Sequence, residues 1–296
     1  MLNRREFIAT VSAAGATSLG IADDTNGEIS EVVAVRNGTP VEMFRKGIAR
    51  LGGMKAFVKP GQRVVVKPNA AWDRTPEEAA NTNPDLVGEI VRQALEAGAA
   101  QVLVFDHTCN SERNAYARSG IEAAVKVAGG KMISGADEAD YVERDCSKAI
   151  RLKHAKIHKA ILEADVFINV PVLKNHGGTK MTSAMKNSMG WIWDRQYMHK
   201  NDLPQCIADL ILYRKPDLNV VDAYRIMISN GPRGISKADV RMPKYQLLSK
   251  DIVAIDAQAL KLLRYKPEDI HYLQKGERLG LGNANESKIR VTRIDA

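Results

Sequence analysis

The chain has 296 residues and a mass of 32.5 kDa, with 45% hydrophobic and 26% charged residues, as expected for a globular protein with a large core. Lysine and arginine outnumber aspartate and glutamate by 43 to 35, so the formal net charge is +8 and anionic partners are favoured. Nucleic acid is not the favoured anion, because the chain has no Lys/Arg tract, no zinc-finger spacing and only 5% aromatic residues.

The first 22 residues resemble a twin-arginine export signal. Residues 3–8 read Asn-Arg-Arg-Glu-Phe-Ile, and a small-residue, weakly apolar run follows up to Ala22, before Asp23 and Asp24. That run is too short and too rich in small residues to span a bilayer stably, so we expect no membrane span in the mature chain. The alternative is a frayed helix that contains an arginine pair. We predict a signal peptide over 1–22, transport by the twin-arginine translocase, and a periplasmic or otherwise exported protein.

Short apolar runs alternate with helical patterns along the rest of the chain. Strands are predicted over residues 29–36, 63–67, 102–105, 166–170, 218–221, 245–248 and 289–292. Helices are predicted over residues 41–51, 84–97, 121–128, 154–162, 203–213 and 251–263, and irregular structure with edge strands over 137–153. This alternation predicts an α/β fold with a largely parallel, Rossmann-like sheet flanked by helices. Because no repeat or linker interrupts it, residues 23–296 are predicted to form one domain without a clean internal boundary.

The stretch from 166 to 193 carries the strongest functional signal. The run Val166 to Val170 predicts a strand buried on both faces, and Pro171 ends its regular ladder. A glycine turn and a helix over 179–189, with Thr179 as N-cap, are predicted to follow. Free amides at such a helix N-terminus predict an anion site. The alternative is an ordinary strand-to-helix connection with a solvated basic face.

Polar residues in this stretch and at other strand ends form the predicted site, because ligands bind outside the carboxyl ends of parallel strands. Three residues are predicted to be catalytic, with the imidazole as general acid or base: Lys174, His176 and Lys186. Six are predicted to bind a cofactor or anion: Lys67, Asn69, Gly177, Gly178, Lys180 and Asn187. Three are candidate metal ligands: Asp106, His107 and Asp222.

The three cysteines, Cys109, Cys146 and Cys206, are far apart and form no Cys-x-x-Cys motif. A ferredoxin-type cluster needs four closely spaced thiolates, so no iron–sulfur cluster of the chain's own is expected. One disulfide could form in an oxidising compartment, and its pairing is left open.

Several motifs together resemble the family called domain of unknown function 362. They are Val-Val-Val-Lys-Pro-Asn at 64–69, Asn-Pro-Asp-Leu-Val at 83–87, Pro-Val-Leu-Lys-Asn-His at 171–176, Met-Lys-Asn-Ser-Met-Gly at 185–190, Lys-Pro-Asp-Leu-Asn-Val-Val-Asp-Ala at 215–223, Gly-Pro-x-Gly at 231–234 and Asp-Ile-Val-Ala-Ile-Asp-Ala at 251–257. The family is named for its lack of an assigned activity. Some members carry a ferredoxin-like segment, whose cysteines this chain lacks.

The turn Gly-Gly-Thr-Lys at 177–180 also resembles one in the nickel-pincer lactate racemases, where it presents a lysine to a nucleotide-derived cofactor. This fainter likeness implies a metal or nucleotide-derived cofactor of unknown identity, with His107 and His176 as ligands or acid–base groups.

Three hypotheses about function follow. The first is an exported protein, such as an enzyme, whose Lys/His/Asn-rich pocket binds a small anionic substrate or cofactor. The second is a non-catalytic periplasmic binding or accessory subunit of a redox complex, with a redox partner. The third is a scaffold whose lysines are counter-ions to Asp106, Asp222 and Asp256. Substrate and reaction are left open.

Overall fold

A computed structural model describes residues 29–296. Within them, eleven strands form one mixed sheet, and two more form a separate antiparallel ribbon. The strands are β1 (Ser30–Arg36), β2 (Arg63–Pro68), β3 (Gln101–Val104), β4 (Lys131–Met132), β5 (Tyr141–Asp145), β6 (His154–His158), β7 (Val166–Val170), β8 (Val172–His176), β9 (Lys180–Thr182), β10 (Leu218–Met227), β11 (Val240–Arg241), β12 (Tyr245–Ser249) and β13 (Ile289–Asp295). The helices are α1 (Pro40–Arg50), α2 (Pro84–Glu96), α3 (Glu112–Arg118), α4 (Ile121–Val127), α5 (Lys159–Glu163), α6 (Ala184–Asn187), α7 (Arg195–Lys200), α8 (Leu203–Ile211), α9 (Ile252–Ala259) and α10 (His271–Arg278).

The main path through the sheet runs β13-β1-β12-β10-β7-β2-β3-β4. From β10 to β4 neighbouring strands are parallel, whereas β12 is antiparallel to both of its neighbours, β1 and β10. β8 adds to β10 in parallel and continues into an antiparallel hairpin with β9. This arrangement confirms the predicted α/β fold with a largely parallel sheet flanked by helices.

Both faces of the central strands are covered, as their apolar sequences predict. Val64 and Val66 point into one hydrophobic cluster, which contains residues of α1, α2 and α4. Val65, between them, points into the other cluster, which contains residues of α8, α9 and α10. Alternate residues of a strand face opposite sides of a sheet, so the middle of β2, Val64 to Val66, is apolar on both faces. The carboxyl ends of β2, β3 and β7 are thereby held rigidly side by side.

Local signals set the ends of several predicted helices. Asn83 caps α2 with its side chain, and Pro84 occupies the first turn, where a missing amide costs nothing. Asp251 caps α9 through the amides of Val253 and Ala254.

Two predicted helices are wrong in part. Residues 154–158 form β6 rather than a helix, because they pair residue by residue with β5, and only Lys159–Glu163 is helical. The helix predicted over 179–189 begins only at Ala184, since residues 172–176 and 180–182 pair as the β8–β9 hairpin. Thr179 is therefore not an N-cap. In addition, the strand predicted over 218–221 continues to Met227.

The predicted export signal, residues 1–22, lies outside the described residues. Among residues 29–296, the helices are all too short or too polar to cross a membrane.

Candidate functional site

The carboxyl ends of β2 and β3 open into a cavity of about 380 Å³, with β8 and α6 along its sides. Eight of the twelve residues predicted for the site line it: Lys67, Asn69, Asp106, His107, Lys174, His176, Lys186 and Asn187. The other four do not: Gly177, Gly178, Lys180 and Asp222. Sequence reasoning missed several lining residues, including Trp72, Cys109, Thr182, Arg195 and His199.

A buried ion pair forms the floor of the cavity. Lys67 Nζ lies 2.8 Å from Asp106 Oδ1 and donates to Asn187 Oδ1 at 2.9 Å, and the backbone amide of Ala70 donates to Asp106 Oδ2. Burial lowers the pKa of Lys67, while the Asp106 carboxylate opposes that shift. Gly190 passes so close that a Cβ there would collide with Asp106 Oδ1 and Lys67 Nζ. A glycine is therefore required above the pair.

A chain of asparagine amides holds this floor in place. Asn187 Oδ1 also accepts from Asn69 Nδ2 at 3.2 Å, and Asn187 Nδ2 donates to Asn169 Oδ1 at 2.8 Å. Asn169 Nδ2 in turn donates to Asn219 Oδ1 at 3.0 Å. Because these amides satisfy one another, Asn187 positions its neighbours and has little hydrogen-bonding capacity left for a ligand.

Among the described residues, the hydrogen-bond partners of Lys174, on β8, are neutral oxygens. Its Nζ donates to the Ala80 carbonyl at 2.6 Å and to Asn69 Oδ1 at 3.3 Å, and lies 6.0 Å from the centroid of the Trp72 ring. The side chain is 1% exposed, and burial lowers the pKa of its amine to about 7. This amine can therefore change its protonation state near neutral pH.

Lys186, on α6, is 8% exposed, and its Nζ lies 3.3 Å from the thioether sulfur of Met189. A thioether is a weak acceptor, and within residues 29–296 no oxygen accepts a hydrogen bond from this nitrogen. Burial lowers the pKa of Lys186 to about 8, and the positive charges of Arg195 and Lys67 act in the same direction. The nitrogen is thus buried without a counter-ion.

The predicted anion site at a helix N-terminus is wrong. The first amides of α6, on Ala184 and Met185, donate to the carboxylate of Asp256 at 2.7 and 3.0 Å. Asp256 is fully buried, and burial raises its pKa to about 6. The protein's own carboxylate therefore occupies the place that the sequence suggested for a ligand.

His176 is held in one tautomer. Its Nδ1 accepts from the amides of Gly178 and Thr179 at 2.9 and 3.2 Å, so in the neutral ring the hydrogen is on Nε2. Burial lowers its pKa to about 3, helped by the charges of Lys186 and Lys174. A neutral imidazole with Nδ1 occupied acts as a hydrogen-bond donor through Nε2, and general acid or base catalysis would first need these bonds to break.

Arg195, at the start of α7, adds a further cation. Its guanidinium donates to the carbonyls of His107 and Thr108, both at 2.9 Å, and to Cys109 Sγ at 3.4 Å. None of these partners is a carboxylate. The cavity lining therefore contains four basic side chains, Lys67, Lys174, Lys186 and Arg195, and one carboxylate, Asp106, an excess of three positive charges when all are ionised.

Comparison with known proteins shows the family. A family model described as Domain of unknown function (DUF362) matches residues 64–261, two thirds of the chain. The chain belongs to this family. The matched range of this DUF362 protein contains every residue of the cavity described above. The family predicted from the sequence motifs is thereby confirmed.

The DUF362 chain is also similar to individual proteins. It is 27% identical over 260 residues to thylakoid-associated protein sll1697 of Synechocystis sp., covering 82% of this chain and 76% of that one. The lactate racemase apoprotein of Thermoanaerobacterium thermosaccharolyticum is similar at 11% identity and a TM-score of 0.49, over 80% of this chain and 57% of that one. A Thermotoga maritima protein is similar at 12% identity and a TM-score of 0.42, over 76% and 60%. The DUF362 chain thus spans less than two thirds of either structure.

Three predicted residues lie away from the cavity of the DUF362 protein for clear reasons. Lys180 is exposed, and its Nζ pairs with Asp269 at 2.7 Å. Gly177 is at the tip of the β8–β9 hairpin, with open space where a Cβ would be. Asp222 is buried outside the cavity lining, and its carboxylate accepts from the amides of Asn83 and Tyr224.

The three candidate metal ligands, Asp106, His107 and Asp222, do not form a common metal site. Within residues 29–296, His, Cys, Asp and Glu side chains nowhere form a group of three that could hold a metal ion. Asp106 pairs with Lys67, and the ring of His107 stacks on Trp193 at a centroid distance of 5.1 Å. The part of the chain that the structure describes has three free cysteines.

Proposed function

We propose that this DUF362 protein binds a small anion, such as a carboxylate or a phosphate, in the cavity at the ends of β2 and β3. The observation that supports this most is the charge imbalance. Four basic side chains line the cavity, and its carboxylate, Asp106, is already paired with Lys67. Burying a cation without a compensating charge costs free energy, so a bound anion would lower the free-energy cost of burying these side chains.

The polar groups with capacity left for a ligand define the binding set. Lys174, Lys186 and Arg195 would supply charge-assisted hydrogen bonds, which are stronger than neutral ones. His176 would donate from Nε2. The hydroxyl of Thr182, 4% exposed, has no hydrogen-bond partner in the described part of the chain and faces the same cavity. Lys67, Asn69 and Asn187 would hold the frame, and Gly178 would orient the His176 ring.

Anion binding in this cavity is compatible with an enzyme and with a non-catalytic subunit. The enzyme is favoured by Lys174 and Lys186, whose amines titrate at about 7 and about 8. The non-catalytic alternative, a periplasmic binding or accessory subunit of a redox complex, is favoured by His176, because burial lowers its pKa to about 3 and the bonds to Nδ1 fix its tautomer. Its redox partner stays a prediction.

Isothermal titration of the mature chain with phosphate and with oxalate tests the site. We expect binding of at least one of them, and Lys174→Ala and Lys186→Ala should each weaken it by about 1.5–3 kcal/mol, the scale of a hydrogen bond to a charged group. Lys180→Ala is the matched control, because that lysine is outside the cavity. Absence of binding by the folded wild type would contradict the proposal.

We also propose that the protein is exported by the twin-arginine pathway. The Arg4-Arg5 motif supports this, and a relative named as thylakoid-associated is compatible with it. Changing both arginines to lysine should block export, because the receptor recognises guanidinium groups rather than charge alone. Cell fractionation checks this. Mature-length protein in the periplasm despite the double change would remove the signal hypothesis.

A further inference from the structure

The three buried lysines of the cavity differ in what their nitrogens contact. Lys67 Nζ has a carboxylate at 2.8 Å, and Lys174 Nζ has a carbonyl oxygen at 2.6 Å. Lys186 Nζ has a thioether sulfur at 3.3 Å. A neutral amine attacks with its lone pair: a carboxylate partner favours the ammonium form, which has no lone pair, and N–H bonds to oxygen acceptors fix the orientation of the nitrogen. By this criterion Lys186 is the available nucleophile of the three.

We propose that Lys186 is a nucleophilic amine that captures the carbonyl group of a small 2-oxo acid as an imine. The inference rests on the proposed anion site, which would hold the carboxylate of the same molecule. A 2-oxo acid has its carboxylate and its carbonyl on adjacent carbons, and both must reach partners in one small space. The cavity offers this combination, because Lys174 and Arg195 line it together with Lys186.

The capture step balances in atoms and electrons. The lone pair of Lys186 Nζ attacks the carbonyl carbon, and the π electrons of the C=O bond move to oxygen, which gives a carbinolamine. The C–O bond then breaks, and both amine hydrogens leave with the oxygen as water. The product is an imine, C=N, with one water released and no oxidant or reductant needed. A proton taken up from solvent would make the imine cationic and draw electrons from the neighbouring carbon.

The surroundings favour an amine over an ammonium at this position. Burial and the nearby cations Arg195 and Lys67 all disfavour a charge on the nitrogen, and this is how lysine nucleophiles are activated. The pKa of about 8 leaves a useful fraction of neutral amine at physiological pH. The backbone that carries Lys186 is also fixed, since Asp256 accepts from the amide of Ala184 at the start of α6, two residues earlier. For Lys67, by contrast, the Asp106 carboxylate opposes the lowering of the pKa that burial causes.

Reductive trapping tests the assignment. The wild-type mature protein is incubated with pyruvate and cyanoborohydride, which reduces an imine to a stable N-(1-carboxyethyl) lysine. Intact mass and peptide mapping then locate the adduct. We expect one adduct per chain, on Lys186, and none without reductant. Lys186→Met and Lys186→Arg should both lose it, and circular dichroism checks that these variants are folded. The exposed Lys180 serves as an internal control for non-specific labelling.

The outcomes separate this inference from the proposed anion site. An adduct on Lys174 or only on exposed lysines such as Lys180 would overturn the assignment to Lys186. Calorimetric binding of pyruvate to the wild type without any trapped adduct would overturn the imine and leave the anion site standing. Absence of binding for pyruvate, phosphate and oxalate alike, with no adduct, would overturn both. Because these measurements use the wild type, they decide the question even where a variant fails to fold.

Discussion

Buried aspartates and buried lysines have opposite surroundings in this protein. Asp222 and Asp256 each accept two backbone amides, so the fold satisfies their charge from within. Lys174 and Lys186 are buried almost as deeply, but neither contacts a carboxylate. The buried aspartates thus belong to the framework of the fold, whereas the two buried lysines are available to a ligand. This difference also explains why a helix N-terminus that looked suitable for a ligand is already occupied.

Lys67, whose nitrogen pairs with a carboxylate, and Lys186, whose nitrogen contacts a thioether, should respond differently to removal. Lys67→Met leaves Asp106 buried without its partner, so the free energy of unfolding should fall by about 3–5 kcal/mol. Lys186→Met removes a nitrogen that has no oxygen partner, so the loss should be at most about 1 kcal/mol. Urea unfolding at neutral pH measures both. Equal large losses would show that Lys186 belongs to the framework and would favour the scaffold hypothesis.

Gly190 tests how closely the framework is packed around the ion pair. In Gly190→Ala the new methyl group would push Asp106 away from Lys67, and overpacking of this kind costs about 1–3 kcal/mol. Gly177→Ala is the matched control, because its Cβ would meet nothing within 4 Å, and its cost should stay within about 0.5 kcal/mol. Thermal melts of the two variants compare them. A tolerated Gly190→Ala would mean that the pair can move.

Proton uptake by the two buried lysines when an anion binds gives a further test. An anion favours the charged form of Lys174 and Lys186, whose pKa values in the empty site are about 7 and about 8. Oxalate affinity should therefore fall as the pH rises through these values, by at least about tenfold between pH 6 and 9. Oxalate keeps its own charge over this range. Calorimetric titration in buffers of different ionisation enthalpy would detect the protons taken up. An oxalate affinity that does not change with pH would contradict the assignment of Lys174 and Lys186 to the binding site.

The same shifts predict how stability depends on pH. Both lysines have a folded pKa below the unfolded value of 10.5, so the unfolded chain binds more protons between those values. The contribution of these lysines to stability should accordingly rise with pH from about 7 towards 10. In Lys174→Met this rise should be smaller than in the wild type, as followed by urea unfolding at several pH values. An unchanged rise would mean that Lys174 does not titrate there.

The smallest effect is expected for Lys180. Its ion pair with Asp269 is on the surface, where such pairs contribute about 0–1 kcal/mol. Lys180→Ala should lower the free energy of unfolding by less than that and leave oxalate affinity unchanged. A clear loss of affinity would mean that the turn Gly-Gly-Thr-Lys at 177–180 belongs to the binding site.

Much of the fold could be predicted from local patterns, because they coincide with the long-range structure. The continuous apolar runs of β2 and β7 predict strands buried on both faces, and Asn83 with Pro84 predicts the start of α2. The β8–β9 hairpin and β6 could not be found in this way. Their residues also fit helical or turn patterns, and pairing decides between these: β6 pairs with β5, and β8 pairs with β9 and with the distant β10.

The site was predictable to the extent that strand ends define it. Lys67 and Asp106 follow apolar runs, so the rule for parallel sheets places them together. Arg195 follows no strand and reaches the cavity by bonds to loop carbonyls, a contact that leaves no mark in the sequence. The role of Asp256 was likewise hidden, since its partners are the backbone amides of a helix more than sixty residues away in the chain.

The position of β1 has a consequence for biosynthesis. β1 is the first described strand to leave the ribosome, yet its neighbours in the sheet are β12 and β13, near the other end of the chain. Its apolar residues Val32 to Val35 must therefore stay unpaired until β12 and β13 have been translated. This edge of the sheet can form only after β13 has left the ribosome. A truncated or stalled product would expose an unpaired apolar strand, and quality control could recognise it by that strand.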